Sequence, residues 1–149
     1  VLGDTVVLLE SREEARRMVV ERDWPERLPI RADSDRLQQL FLNLGINAME
    51  ACAESGGKIV VRARAADSPP PGLVAPARAG ILVEFMDDGP GVPPEVGTKI
   101  FTPFFSTKAR GTGIGLAIAR KIVQGHGGDI TLKSEGGRGT TARVWLPRP

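Results

Sequence analysis

The strongest periodic signal in the chain runs from Arg36 to Ala51, and it constrains the fold more than any other segment. Leu37, Leu40, Phe41, Leu44, Ala48 and Ala51 recur at helical spacing and lay one apolar stripe along a helix. Asp33 or Ser34 stands where an N-cap belongs, and Gly56-Gly57 is the expected stop. The period then changes. From Lys58 to Ala65, Ile59, Val61 and Ala63 alternate with Lys58, Val60, Arg62 and Arg64, as a half-buried strand requires. A long amphipathic helix feeding such a strand needs a sheet for the helix to cover, which points to a layered α+β fold.

The flanking segments fit that plan. Thr5 to Met18 has roughly helical spacing, with Val6, Val7, Leu9, Ala15 and Met18 on one face, so residues 1–18 are expected to be a first helix or flank. Val19 to Arg22 is a short strand candidate, ended by Asp23-Trp24-Pro25. Asp67 to Gly80 is rich in Pro, Ala and Gly and reads as a mobile surface connection to a return strand, Gly80 to Met86. Pro93 to Val96 suits a short helix. Phe101 to Gly113 has no clear period, whereas Ile114 to Val123 is helical and is ended by Gly125 and Gly127-Gly128. Asp129 to Ser134 and Thr140 to Leu146 are closing strands around Glu135-Gly136-Gly137-Arg138-Gly139. No internal repeat and no second domain is visible. The expectation is one domain over 1–149: a two-layer α/β sandwich of the α+β class, its mixed, mostly antiparallel sheet carrying helices on one face.

Composition removes several function classes. Lys+Arg 20 against Asp+Glu 18 is too balanced to argue for nucleic acid as a partner. One cysteine, Cys52, excludes a disulfide framework and a multi-cysteine zinc site, and fits a reducing compartment. No apolar run approaches the ~18 residues of a membrane span, so no direct membrane insertion is expected. The chain opens on Val1 rather than Met and is expected to be a piece of a longer protein.

Four segments carry chemistry. Asn43 and Asn47 are four apart on the long helix, so both amides face one way among apolar neighbours. Asn is a poor mid-helix residue. Two on one stripe are either hydrogen-bonded core amides or neutral oxygen ligands for Mg²⁺. Asp87-Asp88-Gly89-Pro90-Gly91 closes a strand. It is either an Asp-Gly turn or a carboxylate that accepts from an exocyclic amine, such as that of adenine, where guanine would present a carbonyl. Gly111-Thr112-Gly113-Ile114-Gly115-Leu116 leads into a helix. Its glycines expose backbone N–H groups beside a helix N-terminus, which is a phosphate cradle in physical terms, or a flexible loop. Its spacing is neither a Rossmann fingerprint nor a P-loop. In Phe101-Thr102-Pro103-Phe104-Phe105-Ser106-Thr107-Lys108-Ala109-Arg110, the Phe residues would pin a loop to the core, while Lys108 and Arg110 either reach a phosphate or lie solvated.

Taken in order, these segments resemble the catalytic ATP-binding domain of bacterial sensor histidine kinases, within the gyrase/chaperone/kinase ATPase group. The resemblance covers roughly Asp33 to Pro147. Asn43-Leu44-Gly45-Ile46-Asn47-Ala48 is similar to the family's N box, Asp87 to Gly91 to its G1 box, Phe101-Thr102-Pro103-Phe104 to its F box and Gly111 to Leu116 to its G2 box. Phe105-Ser106-Thr107-Lys108 extends the F box as in nitrogen-regulation-type kinases, and Gly137-Arg138-Gly139-Thr140-Thr141 resembles the final glycine box.

The resemblance implies a Bergerat-type fold with a mobile ATP lid over residues 99–113. It implies Asn47 as principal Mg²⁺ ligand with Asn43 assisting, and Asp87 on the adenine amino group, directly and with a water. Gly89 and Gly91 would let ATP approach. Lys108 would contact the distal phosphates. Gly111, Thr112, Gly113, Ile114, Gly115 and Leu116 would hold phosphates at the helix start, and Thr140 or Thr141 would support the adenine end. The implied activity is γ-phosphoryl transfer to a histidine on a dimerisation/phosphoacceptor domain of the same kinase, for relay to a response regulator receiver domain, in the cytoplasm. Two departures stand out. Glu50 occupies a position where many members carry Lys, and the lid is short. Hydrolysing relatives carry Glu at the position of Asn43, as a general base toward water, and an amide cannot take that proton. The single histidine, His126, falls at a helix C-terminus in Gly125-His126-Gly127-Gly128, a structural place, so the phosphoacceptor is expected elsewhere. Two other readings stay open: a degenerate nucleotide- or protein-binding module, and a serine kinase of the anti-sigma type.

Overall fold

The structure, a computed structural model, describes residues 1–12, 15, 18–52, 57–91, 101, 115–134 and 139–148. In chain order the elements are α1 (Leu2–Glu10), β1 (Met18–Asp23), α2 (Ser34–Ala51), β2 (Gly57–Ala66), β3 (Gly80–Asp87), α3 (Gly115–Gly125), β4 (Asp129–Ser134) and β5 (Thr140–Pro147). The strands form one sheet in the order β1-β2-β3-β5-β4. β1 runs parallel to β2, and every other pair is antiparallel. Strand alternation sends Ile59, Val61, Ile81, Val83, Phe85, Ala142, Val144 and Leu146 to the face that α1, α2 and α3 cover, forming one core.

The long helix forms as its sequence dictates. The Asp33 carboxylate accepts from the N–H groups of Asp35 and Arg36, at 3.0 and 3.2 Å, and caps the open N-terminus. Leu37, Leu40, Phe41, Leu44, Ala48 and Met49 are buried on one stripe, and Phe41 stacks on Phe85 of the sheet at 6.0 Å between centroids. Gly45 would be a helix-weakening choice of about 1 kcal/mol. Here a Cβ would collide with the Leu9 side chain, so the missing methyl group lets α1 lie close against α2.

Three expectations need correction. The first helix spans Leu2–Glu10, not Thr5 to Met18. After Leu9 the polar run Glu10-Ser11-Arg12 offers nothing apolar to the core, and Met18 is drawn into parallel pairing with Gly57. Val6 and Leu9 are buried as read, while Val7 faces outward at 57% exposure. Second, Gly56-Gly57 does not stop the long helix. It ends at Ala51 with Cys52 as C-cap, and Gly57 is the first residue of β2.

Third, the segment after Asp67 is a docked strap rather than a loose connection. Leu73 is buried against Leu82 and Trp145 on the sheet face opposite the helices. The Val74 N–H donates to Asp129 Oδ2 at 2.7 Å, and Arg143 donates to the Pro71 carbonyl at 3.2 Å. The expected helix at 93–96 lies outside the described residues. Leu73→Ala should therefore lower unfolding free energy by roughly 2–3 kcal/mol in urea titration. Its neighbour Val74, 88% exposed, should tolerate Val74→Ala within about 0.5 kcal/mol.

Candidate nucleotide-binding site

The sheet and the helix layer bring the sequence motifs together at one end of the sandwich. Asp87 is the last residue of β3 and lies in register with Thr140, the first residue of β5, and with Ile59 of β2. Alternation places Asp87 on the same face as Ile81, Val83 and Phe85, so it stands at the rim of the helix-covered layer. Thr140 is buried beside it, at 7% exposure.

Glycines shape the chain around this carboxylate. Gly139 has φ +92°, and a Cβ there would collide with the Asp87 carbonyl oxygen. Gly91 has φ +83°, and a Cβ would collide with Ser134 Oγ. At Gly89 a Cβ would come within 2.9 Å of the Ala51 carbonyl oxygen, so the loop after β3 presses on the end of α2. The Gly89 N–H donates to Asp87 Oδ1 at 3.0 Å, which fixes one carboxylate oxygen in an Asx turn.

The two amides lie one turn apart on α2, both half-buried. Asn43 Nδ2 donates to the Gly115 carbonyl at 3.2 Å, joining the middle of α2 to the first residue of α3. That bond engages the amide nitrogen. Among the described residues no group of three or more His, Cys, Asp or Glu is placed to hold a metal. Leu116 follows in the first turn of α3, half-buried. Lys108, Gly111, Thr112, Gly113 and Ile114, with the 99–113 lid apart from Phe101, lie outside the described residues. Phe101 is buried, as its anchoring role requires, and the Arg120 guanidinium of α3 stands 5.5 Å from its ring centroid. Glu50 is exposed on α2.

His126 takes the structural place expected of it. Nδ1 lies 2.8 Å from the Ile122 carbonyl, and the Asp33 N–H donates to Nε2 at 3.3 Å. A neutral ring protonated on Nδ1 satisfies both contacts and ties the end of α3 to the start of α2. Both ring nitrogens are thereby occupied by backbone.

Two features were given no role by the sequence reading. Asp88 Oδ1 accepts from the Lys58 N–H at 3.0 Å and from the Cys52 thiol at 3.6 Å. Gly57 makes room for that carboxylate, since a Cβ would collide with it. The doubled acid at a strand end was the available signal. A cavity of about 350 Å³ with a mixed polar and apolar lining that includes Trp24, Glu26, Leu28, Phe41, Ile81 and Leu146 lies at the opposite end of the strands from Asp87.

The comparisons agree with this geometry. The family model described as "Histidine kinase-, DNA gyrase B-, and HSP90-like ATPase" matches residues 32–149. The chain belongs to this ATPase family. It is similar to the sensor histidine kinase ZraS of Escherichia coli strain K12, 40% identical over 137 residues that cover 92% of this chain and 26% of ZraS. It is also similar to the sensory histidine kinase/phosphatase NtrB of Rhodobacter capsulatus, 39% identical over 89% of this chain and 38% of NtrB. The chain thus spans well under half the length of either relative. The nucleotide-free catalytic domain of histidine kinase ThkA superposes with TM-score 0.78 at 31% identity, covering 98% of this chain and 90% of that one. ThkA in complex with the response regulator protein TrrA superposes with TM-score 0.76 at 29% identity, covering 99% of this chain and 39% of that one. The two-layer α+β fold and the histidine-kinase resemblance are therefore established for this member of the family.

Burial, followed by the charges of Asp87 and Asp88, pushes the Cys52 thiol up to about 11 from 9.0. A raised folded-state value stabilises the protein below the unfolded value, and the gain is lost as pH rises. Unfolding free energy should fall between about pH 9 and 11, by at most about 3 kcal/mol, and Cys52→Ala should flatten that slope. At neutral pH, iodoacetamide should modify native Cys52 no faster than the chain opens.

Proposed function

We propose that this domain binds Mg-ATP at the Asp87 end of the sandwich and presents the γ-phosphate to a histidine on a phosphoacceptor domain of the same kinase. A response regulator then receives the phosphoryl group. Membership of the ATPase family and similarity to ZraS and NtrB support the kinase reading. The solved complex of ThkA with the response regulator protein TrrA supports a response regulator as downstream partner. The observation that carries the proposal is the meeting of Asp87, Thr140 and Gly89 at the end of β3, with Asn43 in the middle of α2 bonded to the first residue of α3.

Each described residue has a task in this reading. Asp87 accepts from the adenine amino group, and Thr140 backs that end of the pocket. Gly89 and Gly91 keep the backbone low beneath the nucleotide. Asn47, with Asn43, offers amide oxygens to Mg²⁺, which when bound neutralises phosphate charge. The start of α3 at Gly115 and Leu116 offers a helix N-terminus to phosphate, with Lys108, Gly111, Thr112, Gly113 and Ile114 completing the cradle. Catalysis is then positioning and charge stabilisation, as phosphoryl transfer requires. With an amide rather than a carboxylate at Asn43, no base stands there to activate water, which favours transfer over hydrolysis. His126 is held by backbone at both nitrogens and is not the acceptor.

Calorimetric titration with ATP, ADP and GTP, with and without Mg²⁺, tests the binding step. ATP and ADP should bind with Mg²⁺ strengthening ATP, and GTP should bind at least about tenfold more weakly. Asp87→Asn should abolish the adenine preference. Absence of any nucleotide binding would make the domain a protein-binding module instead.

A further inference from the structure

We propose that Asp88 is the positioning residue that aims Asp87, by ending the β2–β3 ladder with its side chain in place of its backbone. This rests on the reading of Asp87 as the purine contact. The β2–β3 register runs to Ile59↔Asp87, so Lys58 would next pair with Asp88. The ladder stops there, yet Lys58 still has an N–H directed at β3. Lys58 is exposed near the start of β2, so the local geometry and not a burial penalty selects the acceptor. Asp88 Oδ1 supplies the acceptor at 3.0 Å, a side-chain bond where the register would next have placed a backbone pair.

The chain leaves the strand at that point. Gly89 folds back so that its N–H reaches Asp87 Oδ1 at 3.0 Å, and its Cα packs against the Ala51 carbonyl at the end of α2. The same Asp88 oxygen takes the Cys52 thiol at 3.6 Å, at the C-cap of α2. One carboxylate oxygen therefore joins the start of β2, the end of β3 and the end of α2. Gly57 is fitted to it, because any Cβ there would occupy the carboxylate's place. Asp88 itself is exposed and makes no purine contact in this reading; it acts through Asp87. Without it, the last residues of β3 are free either to extend the ladder or to swing out, and both movements turn the Asp87 carboxylate.

The test uses the 149-residue chain and five variants, D87N, D88A, D88N, G57A and the D87N/D88A double, each checked for a folded circular-dichroism spectrum at the working temperature. The readout is the dissociation constant for Mg-ADP and Mg-GDP, and above all their ratio. D88A should weaken ADP by about tenfold or more and bring the ADP-to-GDP preference toward one. G57A should do the same with the carboxylate still present, because its methyl group displaces it. D88N keeps an acceptor oxygen for the Lys58 N–H and should stay within about threefold of the parent. In the D87N background, D88A should remove no further preference. Equal weakening of ADP and GDP by D88A, with the ratio unchanged, would overturn the proposal and leave Asp88 a stabilising residue alone. So would D88A and G57A that bind ADP within about twofold of the parent while D87N does not. An intact adenine preference in D87N is a different failure: it overturns the purine-contact reading itself.

Discussion

The register of the central β3–β5 pair holds the rest in place. Eight residue pairs, from Gly80↔Pro147 to Asp87↔Thr140, fix two strands that share one buried face. A slip by one residue would turn Ile81, Val83 and Phe85 away from the helices and with them Asp87. The apolar burial that enforces this register is therefore the same force that sets the candidate purine contact at the rim of the core. Gly80 and Gly139 stand at the two ends of the pair, where a side chain would collide with the neighbouring strand. The pairing is closed at both ends by sterics and along its length by core packing.

Much of this was legible in the sequence for physical reasons. Alternation in Lys58 to Ala65 had one solution, since one face met the core and the other did not, whereas the apolar run Ile81-Leu82-Val83 is buried on both faces of its strand. The Asp33 cap and the apolar stripe of α2 were equally readable. The failures lie where distant contacts decide. Met18 belongs to a strand because Gly57 pairs with it, which no local period reports. Cys52 ends α2 beside a carboxylate 36 positions later. Leu73 looks like any residue in a Pro-rich loop until Leu82 and Trp145 are seen beneath it. At the site, Asp87 lies beside Thr140 with Gly89 and Gly91 in the chain that follows it, and Asn43 meets Gly115. Asp88 was hidden because its task is in the backbone pairing rather than in a ligand.

The arrangement also divides labour within the domain. α2 offers amides, β3 and β5 offer a carboxylate and a hydroxyl, and α3 offers a helix start. His126 couples the start of α2 to the end of α3 by 3.3 and 2.8 Å contacts, and Asn43 ties the middle of α2 to the start of α3. In the proposed function this arrangement holds the nucleotide, and the histidine that receives the phosphate stands on a second domain.

The most direct measurement is phosphoryl transfer in trans. The chain is incubated with γ-labelled Mg-ATP and a separately purified two-helix phosphoacceptor domain, and the product is treated with acid and with alkali. The account predicts label on the acceptor domain alone, lost in acid and retained in alkali, with the His126→Ala chain still active as donor. Acid-stable label, label on this chain itself, or nucleotide binding without any transfer would contradict it.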